Sequence, residues 1–301
     1  MKKLIRKGKV KEVYEVEEDR LLFFFTDNIS VFDKVIPNDI PRKGETLCKT
    51  STYWFKEIEK ELGIKTHFIK MQEDNEMLVK KVDVIPDYDK LDENTTNYLI
   101  PLEFICRYYL AGSLYDRIKR GDVDYTEFGF SEEPEYGERL PEPLFEVTTK
   151  LEDYDRKLTK EEALDISGLT EQEYQEIRKA VLEIDELIED RVNKNGLLHV
   201  DGKKEFAMDE SRNIMLIDTF GTADEDRFWE KDEYDKGNFV QRSKEFVRQY
   251  YRDIGYHEEL MEARRNNEEE PDIPELSEDM VEKTSELYVD MMRRLTNGKY
   301  E

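Results

Sequence analysis

The sequence has few of the residues that build disulfide scaffolds and metal centres. Among its 301 residues there are two cysteines, Cys48 and Cys106, and three histidines. The cysteines have no metal-ligand spacing and the histidines form no HxxxH or HExxH pattern, which argues against a structural zinc site. Two isolated thiols predict a reduced, intracellular chain in which both pack as small apolar groups.

Long apolar runs and an excess of positive charge are also lacking. No run of about 18 apolar residues occurs, so no segment is expected to span a membrane. The first residues, MKKLIRKGKVKEVYEV, lack the apolar stretch of a signal peptide. The formal net charge of -26 argues against a general nucleic-acid binder, because phosphate backbones bind Lys and Arg surfaces. We therefore expect a cytoplasmic protein that binds neither nucleic acid nor membrane.

The order of the predicted elements indicates an α+β protein with two lobes and a helical C-terminal part. Residues 1–85 are β-rich, because the alternating segments at 9–27 predict a hairpin and a single helix, from Thr46 to Leu62, follows. Residues 86–227 mix strands with helices, and residues 228–301 are mainly helical. A cleft between two such lobes is a common place for a nucleotide.

Two features of the second lobe can be predicted locally. Residues 121–158 contain Gly, Pro and acids without clear periodicity and predict a long loop of the kind that is usually functional or disordered. After it, Thr159 with Glu162 and Thr170 with Glu173 fit the capping box, which predicts that a helix begins at each threonine.

The segment VDGKKEFAMDESRNIMLID at 200–218 predicts a β-hairpin with an unusual charge pattern. Side chains alternate between the two faces of a strand, so Asp201, Lys203 and Glu205 share one face. A further acid, Asp218, follows the second apolar run. A four-residue loop would place Glu205 opposite Asp218 on the same face, whereas a five-residue loop would place them on opposite faces.

The two acids of this hairpin, Glu205 and Asp218, could hold a metal ion. Neighbouring carboxylates repel each other unless a cation lies between them, and Mg²⁺ prefers one or two carboxylates together with phosphate oxygens. Lys203 could reach a phosphate of the same nucleotide. The hairpin therefore predicts the floor of a Mg-nucleotide site. The alternative is a solvated charged face, which is the commoner use of such a pattern.

Other segments carry groups that suit anions. Glycine lets a backbone approach a phosphate, lysine and arginine supply charge, and a strand-to-helix turn presents N–H groups. Each segment taken alone is equally well explained as an ordinary turn or as an edge strand protected by lysines. The residues are Gly8, Lys9 and Lys11 in GKVKEVY, Lys80 and Lys81 in LVKKVD, Arg107, Gly112 and Ser113 in RYYLAGS, and Asp224 and Arg227 in GTADEDRFW.

These segments, in this order, resemble the SAICAR synthetase family of purine biosynthesis, from Gly8 to Trp229. The family's GKxxxVY, TDRISAFD and LVKKLD resemble GKVKEVY, TDNISVFD and LVKKVD here. Its IPxKGxxL…S…WF resembles IPRKGETLCKTSTYWF. Its PLECVVRxxxxGS and LPEPxFxxSTK resemble PLEFICRYYLAGS and LPEPLFEVTTK, and its DxKxEF hairpin is present.

Two places depart from the family pattern. The family commonly has DExxTPDSSR after the hairpin, and this chain has DTFGTADEDR, with Thr219 at the usual Glu and Ala223 at the usual Pro. The family's HDxxIS becomes YDRKLT, which keeps Asp155 and loses the His. The chain therefore resembles a divergent, archaeal-like branch, and the departures bear on the amino-acid side of the site more than on the nucleotide side.

The resemblance implies an ATP- and Mg²⁺-dependent ligase. The family joins the carboxylate of CAIR, an imidazole ribonucleotide, to the amine of L-aspartate and releases SAICAR, ADP and phosphate. ATP would convert the carboxylate to an acyl phosphate, which the amine then attacks. The implied fold is a protein-kinase-like ATP cleft with an added helical part, which agrees with the predicted lobes.

The resemblance also implies roles for individual residues. The metal ligands would be Glu205 and Asp218, and the catalytic residues would be Lys203, Asp224 and Arg227. The ATP-binding residues would be Lys9, Lys11, Lys80, Lys81, Val82 and Lys203. The substrate-binding residues would be Ser30, Arg107, Ser113, Lys150, Asp155, Asp224 and Arg227, with Lys150 and Asp155 in a loop that could close over aspartate.

Two other classes of function remain open on the sequence. A small-molecule kinase of the same fold would need a catalytic base in an HRD-like loop, and none is visible. A non-catalytic nucleotide-binding relative would fit the changes at Thr219 and Ala223, but both metal acids and Lys203 are retained. Fold and motif do not fix the substrate, and a homo-oligomer is left open.

Overall fold

The computed structural model describes residues 2–152 and 154–300 and has an α+β architecture, as predicted. The strands are β1 (Lys3–Lys7), β2 (Lys11–Glu17), β3 (Arg20–Phe25), β4 (Asn28–Val31), β5 (Lys34–Asp39), β6 (Phe68–Glu73), β7 (Glu76–Lys80), β8 (Tyr98–Tyr109), β9 (Arg139–Thr149), β10 (Lys157–Leu158), β11 (Leu197–Met208), β12 (Ile214–Ile217) and β13 (Arg227–Glu230). The helices are α1 (Lys43–Leu62), α2 (Gly112–Arg120), α3 (Lys160–Ser167), α4 (Glu171–Asn193), α5 (Lys231–Tyr234), α6 (Glu245–Asp253), α7 (Tyr256–Asn266) and α8 (Glu278–Leu295).

The first sheet is antiparallel and has the strand order β1-β2-β3-β7-β6. Its β2–β3 pair confirms the hairpin predicted over residues 9–27. The apolar run of β3 turns Leu22, Phe23 and Phe25 into the core. This sheet forms one wall of the site described below.

Helix α1 packs on the first sheet and brings the chain from it toward the C-terminal helices. It begins at Lys43, three residues before the predicted start, and ends where Gly63 adopts a left-handed conformation with φ 67°. A Cβ at Gly44 would lie 2.3 Å from the Phe25 carbonyl oxygen, so only glycine lets the first turn of the helix approach the end of β3.

The second sheet has the order β10-β9-β8-β11-β12, with β13 also paired to β11. Strand β9 (Arg139–Thr149) lies within the segment 121–158, so the prediction of a continuous loop there was wrong. Pro141 and Pro143 hide the alternation of this strand. They are tolerated because β10 pairs only with the far end of β9, at Val147 and Thr148, and leaves the proline-containing part at an edge.

The two capping boxes are confirmed. Thr159 and Thr170 each accept a hydrogen bond from the backbone N–H three residues on, and the side chains of Glu162 and Glu173 bond back to the threonine N–H groups. Helix α4 then presents an apolar stripe to β8 and β11. It therefore covers the face of the second sheet that lies away from the first.

The C-terminal helices belong to the same hydrophobic core as the two sheets. Trp54 of α1, Phe206 of β11 and Tyr288 of α8 lie in one continuous cluster. Ser277 caps α8, because its side chain accepts a hydrogen bond from the Met280 N–H. The division at 85 and 227 stays a prediction, and β13 spans the second boundary. Among residues 2–152 and 154–300, the helices are too short or too polar for any of them to cross a membrane.

Candidate active site

A cavity of about 420 Å³ opens between the first sheet and the β11–β12 hairpin. Strands β2 and β3 line it on one side, and the ends of β11 and β12 line it on the other. Two isolated bridges, Thr66 with Leu216 and Asp83 with Tyr98, connect the two sides of the fold. The predicted site residues that line the cavity are Lys9, Lys11, Lys80, Lys81, Val82, Lys150, Glu205, Asp218 and Asp224.

One part of this cavity is an apolar slot. Val13, Leu21 and Phe23 reach it from the first sheet, and Leu99 and Ile217 reach it from the second. Apolar walls with a few polar groups at the rim are typical of sites that hold a flat organic ring. The segment after β7, which contains Val82, runs along this slot.

The other part of the cavity is charged, and it contains both predicted metal acids. Glu205 pairs with Ile217 and Met208 with Ile214, so the hairpin loop has five residues, Asp209–Asn213. That register alone would place Glu205 and Asp218 on opposite faces. Asp218 instead has a left-handed backbone, with φ 58°, which ends the strand alternation and turns the chain. Both carboxylates therefore line the same cavity.

Three lysines surround these two acids. Lys203 Nζ lies 2.8 Å from Glu205 Oε1, Lys150 Nζ lies 2.5 Å from Glu205 Oε2, and Lys11 pairs with Asp218. Burial opposes the ionisation of Asp218, but Lys11, Lys150 and Lys203 outweigh it and hold its pKa well below the usual range. Burial likewise opposes ionisation of Glu205, and Lys150 and Lys203 lower its pKa. Two ionised carboxylates of the cavity thus lie beside three ammonium groups, of which those of Lys11 and Lys150 belong to residues that line it.

Glu103 is a further acid of this group, which the sequence did not reveal. It lies directly opposite Glu205 in the β8–β11 pairing, and Lys203 Nζ lies 2.8 Å from its Oε1. Burial raises its pKa to about 7, because the lowering by Lys203 only partly offsets burial and the nearby charge of Glu205. Its position follows from the strand register, which the sequence alone does not fix.

Two arginines meet beyond the charged part of the cavity. Asp201 Oδ2 accepts hydrogen bonds from Arg107 Nη1 at 3.0 Å and from Arg227 Nη1 at 2.8 Å. Arg107 also donates to Glu146 at 2.7 Å, and Arg227 lies 3.5 Å from Glu245. The carboxylates hold two guanidinium groups in fixed orientations, which suits the recognition of a phosphate or carboxylate.

The first turn of α2 adds to this pair of arginines. Ser113 Oγ accepts a hydrogen bond from Arg107 Nη2 at 3.4 Å. A Cβ at Gly112 would lie 2.6 Å from Arg227 Nη2, so glycine gives the guanidinium room to approach the helix start, and its φ of 54° also favours glycine. Backbone N–H groups at a helix N-terminus and two guanidinium groups are groups that bind anions, so they make this a candidate anion site.

Asp224 lies between the cavity and the C-terminal helices. It pairs with Lys43 Nζ at 2.8 Å, accepts a hydrogen bond from the Tyr288 hydroxyl and lies 3.8 Å from Lys244 Nζ. Burial opposes its ionisation, but Lys244 and Lys43 hold its pKa well below the usual range. Asp224 therefore connects α1, α6 and α8 at the edge of the cavity.

The family model of SAICAR synthetase matches residues 4–263 of this chain. The chain belongs to the SAICAR synthetase family. Among curated relatives, the phosphoribosylaminoimidazole-succinocarboxamide synthase of Thermoplasma acidophilum is 55% identical over 99% of this chain and 100% of its own length. That of Nitrosopumilus maritimus is 33% identical over 96% of each chain.

Solved SAICAR synthetases share the fold. The Saccharomyces cerevisiae SAICAR synthase complexed with SAICAR has a TM-score of 0.74 and 26% identity, with 99% of this chain and 96% of that chain covered. A SAICAR synthetase in complex with ADP has a TM-score of 0.65 and 27% identity, with 89% of this chain and 99% of that chain covered. The α+β fold predicted from the family resemblance is confirmed.

Not every residue implied by the SAICAR synthetase resemblance reaches the cavity. Arg107, Ser113 and Arg227 form the separate candidate anion site, and Lys203 contacts Glu205 and Glu225 of the cavity without lining it itself. Ser30 lies on β4 and Asp155 lies between β9 and β10, and neither lines the cavity in the described part of the chain. Their roles stay predictions.

The departure in DTFGTADEDR lies in or next to the cavity, whereas the residues of YDRKLT, around β10, do not line it in the described part of the chain. Thr219, at the position of the usual Glu, lines it beside Asp218, and Ala223 is buried. Glu225 lines the cavity as well, and its carboxylate lies 3.6 Å from Lys203 Nζ. No sequence pattern singled out Glu225, Lys43 or Lys244, because their places depend on how the segment after β12 folds back on α1 and α6.

Proposed function

We propose that this chain is an ATP-dependent ligase that joins the carboxylate of CAIR to the amine of L-aspartate and forms SAICAR, ADP and phosphate. The observation that carries the proposal is a single cavity in which an apolar slot leads to paired acids and lysines, with an arginine pair beyond them. Membership of the SAICAR synthetase family supports it. We further propose that the enzyme works in the cytoplasm.

ATP would bind with its purine in the apolar slot. The Val82 backbone runs beside the slot and would provide hydrogen bonds for the purine edge, with Lys80 and Lys81 next to it. Lys9 and Lys11 follow Gly8 at the β1–β2 turn and also line the cavity, so they would hold the phosphates. The Lys9 ammonium is 2.6 Å from Asp33 and would exchange that surface partner for a phosphate.

Glu205 and Asp218 would hold the Mg²⁺ of the nucleotide. The donor set fits this ion, because two ionised carboxylates share one cavity and leave the remaining positions to phosphate oxygens and water. When bound, the ion would neutralise charge on the phosphates. Lys203 and Lys150 would move from the carboxylates toward the phosphate oxygens as the nucleotide enters, because their present partners would then be shared with the metal.

CAIR would bind with its phosphate at the arginine pair. Arg107 and Arg227 offer guanidinium donors, Ser113 offers a hydroxyl, and the α2 N-terminus offers backbone N–H groups. The imidazole carboxylate would then point toward Lys203 and the nucleotide. Asp224 would position this side of the site through its contacts with Lys43 and Tyr288.

The reaction would proceed in two balanced steps. A carboxylate oxygen of CAIR attacks the γ-phosphorus of ATP, the bond to the β-phosphate oxygen breaks, and ADP leaves. The aspartate amine attacks the acyl carbon, phosphate leaves, and the nitrogen loses a proton. Such transfers depend on alignment and charge neutralisation more than on a protein nucleophile. Lys150 and Asp155 would act where aspartate enters.

The first test is phosphate release with ATP, Mg²⁺, CAIR and L-aspartate, with each component omitted in turn. The proposal expects release that requires all four components and that falls about 100-fold or more in Glu205→Gln. Glu210→Gln, in the exposed turn of the same hairpin, is the matched control and should keep wild-type rates. Release with aspartate absent would point to a kinase or to hydrolysis of the acyl phosphate by water. ATP binding without release under any combination would point to a non-catalytic relative or to a changed substrate.

A further inference from the structure

Strand β11 carries a second set of charged groups on the face opposite the cavity. Lys204 points away from the cavity, between Lys203 and Glu205, and is fully buried. Asp185 of α4, His199 of β11 and Asp226 surround it and are also buried. The SAICAR synthetase pattern leaves position 204 unspecified and has Ser at position 226.

The four residues form a connected network. Lys204 Nζ pairs with Asp185 and lies 3.3 Å from Asp226 Oδ2. His199 Nε2 lies 2.7 Å from the same Asp226 oxygen. The Tyr108 hydroxyl donates to Asp185 at 3.2 Å. Burying charges without partners is very costly, so these groups depend on one another for their stability.

Lys204 supplies the cation of this network. Ligand atoms of Asp185, His199 and Asp226 all lie within 4.8 Å of one another, a spacing that a metal ion could use. The Lys204 ammonium contacts both carboxylates, so the space between them already holds a positive charge. The network therefore needs no bound ion.

Asp226 links this network to the active site. Its Oδ1 accepts the Gly221 N–H at 2.9 Å, while its Oδ2 faces His199 and Lys204. Its own N–H donates to the Thr222 carbonyl at 3.0 Å. Asp226 thus closes the turn 221–226. The next residue, Arg227, is one of the two arginines that bind Asp201.

Gly202 leaves the space that the contact between Lys204 and Asp226 requires. A Cβ at this position would lie 2.1 Å from Asp226 Oδ2 and 2.6 Å from Lys204 Nζ. The φ of Gly202 is in the ordinary range, so the requirement is for space and not for a special backbone conformation. The strand therefore accommodates the Lys204–Asp226 pair only because residue 202 has no side chain.

We propose that Lys204 is a positioning residue for the ligase: through Asp226 it fixes the turn 221–226, so that Arg227, the next residue, reaches the CAIR phosphate. This inference rests on the proposed function. A positioning role for Lys204 means that CAIR binding depends on the buried network as well as on the residues that touch the substrate.

The test is steady-state kinetics on Lys204→Met, which keeps the side-chain volume and removes the charge, and on Gly202→Ala, which forces Asp226 away. We expect kcat/KM for CAIR to fall about 10- to 100-fold in each, because small misplacements of binding groups have effects of this size. The KM for ATP should stay at the wild-type value, because the residues proposed to hold ATP lie mainly on the first sheet and the segment after it. Calorimetric titration with CAIR should show the same loss of affinity.

Two further variants separate positioning from general stability. Arg212→Met breaks an ion pair with Glu173 outside the cavity and should lower the unfolding temperature without changing the KM for CAIR. Lys204→Met combined with Asp185→Asn removes one charge of each sign and should recover most of the CAIR affinity. If Lys204→Met does not fold, Gly202→Ala and Asp226→Asn provide the same readout.

The outcomes distinguish the two proposals. If the wild type releases phosphate only with all four components, and Lys204→Met and Gly202→Ala keep the wild-type KM for CAIR, the positioning role is wrong and the ligase stands. A lower unfolding temperature with unchanged KM in the folded enzyme would overturn the positioning role in the same way. If the wild type neither ligates nor binds CAIR, the proposed function fails first, and the positioning role fails with it.

Discussion

Asp201 and Arg227 are joined by a 2.8 Å hydrogen bond between adjacent antiparallel strands, β11 and β13. The same oxygen of Asp201 accepts a hydrogen bond from Arg107 on β8, on the other side of β11. One carboxylate thus sets the orientation of two guanidinium groups that come from different strands. The arrangement gives the proposed CAIR site its geometry before any substrate is present.

Asp201→Asn should therefore weaken the binding of CAIR. The amide keeps the shape but offers one acceptor oxygen and no charge to two arginines, so their orientation is less restrained. We expect the KM for CAIR to rise about tenfold or more, with little change in the KM for ATP. Asp235→Asn, at an exposed position, is the control. An unchanged or lower KM for CAIR in Asp201→Asn would show that the carboxylate does not orient the arginines.

Asp218→Asn should change the dependence of the rate on Mg²⁺. Loss of one of two carboxylates in the cavity removes a ligand and part of the attraction for the ion. The Mg²⁺ concentration for half-maximal phosphate release should rise at least about tenfold. Asp232→Asn, on the exposed side of α5, should behave as wild type. Equal Mg²⁺ dependence in both variants would remove Asp218 from the metal site.

Glu146 should contribute stability only above acidic pH. Burial opposes its ionisation, but Arg107, Arg117 and Lys157 lower its pKa from 4.5 to about 2. A lowered carboxyl pKa gives stability that is present above the unfolded value near 4.5 and is lost as the pH falls toward 2. The stability linked to this ionisation is about 3 kcal/mol at neutral pH.

Thermal and urea unfolding of Glu146→Gln at pH 7, 5 and 3 provides the measurement. The difference in unfolding free energy from wild type should be largest at pH 7 and pH 5 and should shrink at pH 3. Glu142→Gln, on the exposed part of the same strand, is the matched control. A difference that stays constant with pH would mean that the ionisation of Glu146 does not stabilise the fold.

Gly221→Ala should destabilise the protein more than Gly237→Ala. Both glycines have positive φ, 64° and 83°, so alanine carries a similar conformational penalty at each. At Gly221 the new Cβ would lie 2.7 Å from the Trp54 ring, whereas at Gly237 no atom of residues 2–152 and 154–300 lies within 4 Å. We expect Gly221→Ala to cost about 1–3 kcal/mol more in urea unfolding. Equal losses would show that Trp54 moves aside freely.

The sequence predicted elements whose signals are local. Thr159 and Thr170 begin helices because each threonine and the glutamate three residues on satisfy one another's N–H groups, and no distant contact is needed. Strand β9 was missed because Pro141 and Pro143 obscure its pattern, and its place is set by pairing with β8. Local signals therefore found the capped helices and missed a strand that tertiary pairing defines.

Within the site, too, local patterns predicted some features, and others depend on tertiary structure. The hairpin predicted that Lys203 and Glu205 share a face, and their 2.8 Å ion pair agrees. The shared cavity of Glu205 and Asp218 depends on one left-handed residue, Asp218 itself, which no pattern in the sequence marked. Glu103 and the Lys204–Asp226 pair required the register of β8 on β11 and the fold of the turn after β12.

Because Asp224 accepts a hydrogen bond from Tyr288, the edge of the cavity is completed late in the synthesis of the chain. Tyr288 belongs to α8, which lies beyond residues 4–263, the part that the family model matches. A chain still on the ribosome can contain every predicted site residue while Asp224 lacks this partner. The edge of the cavity is completed only after α8 has emerged and packed on α1, so we expect nascent chains shorter than this to hold an unfinished site.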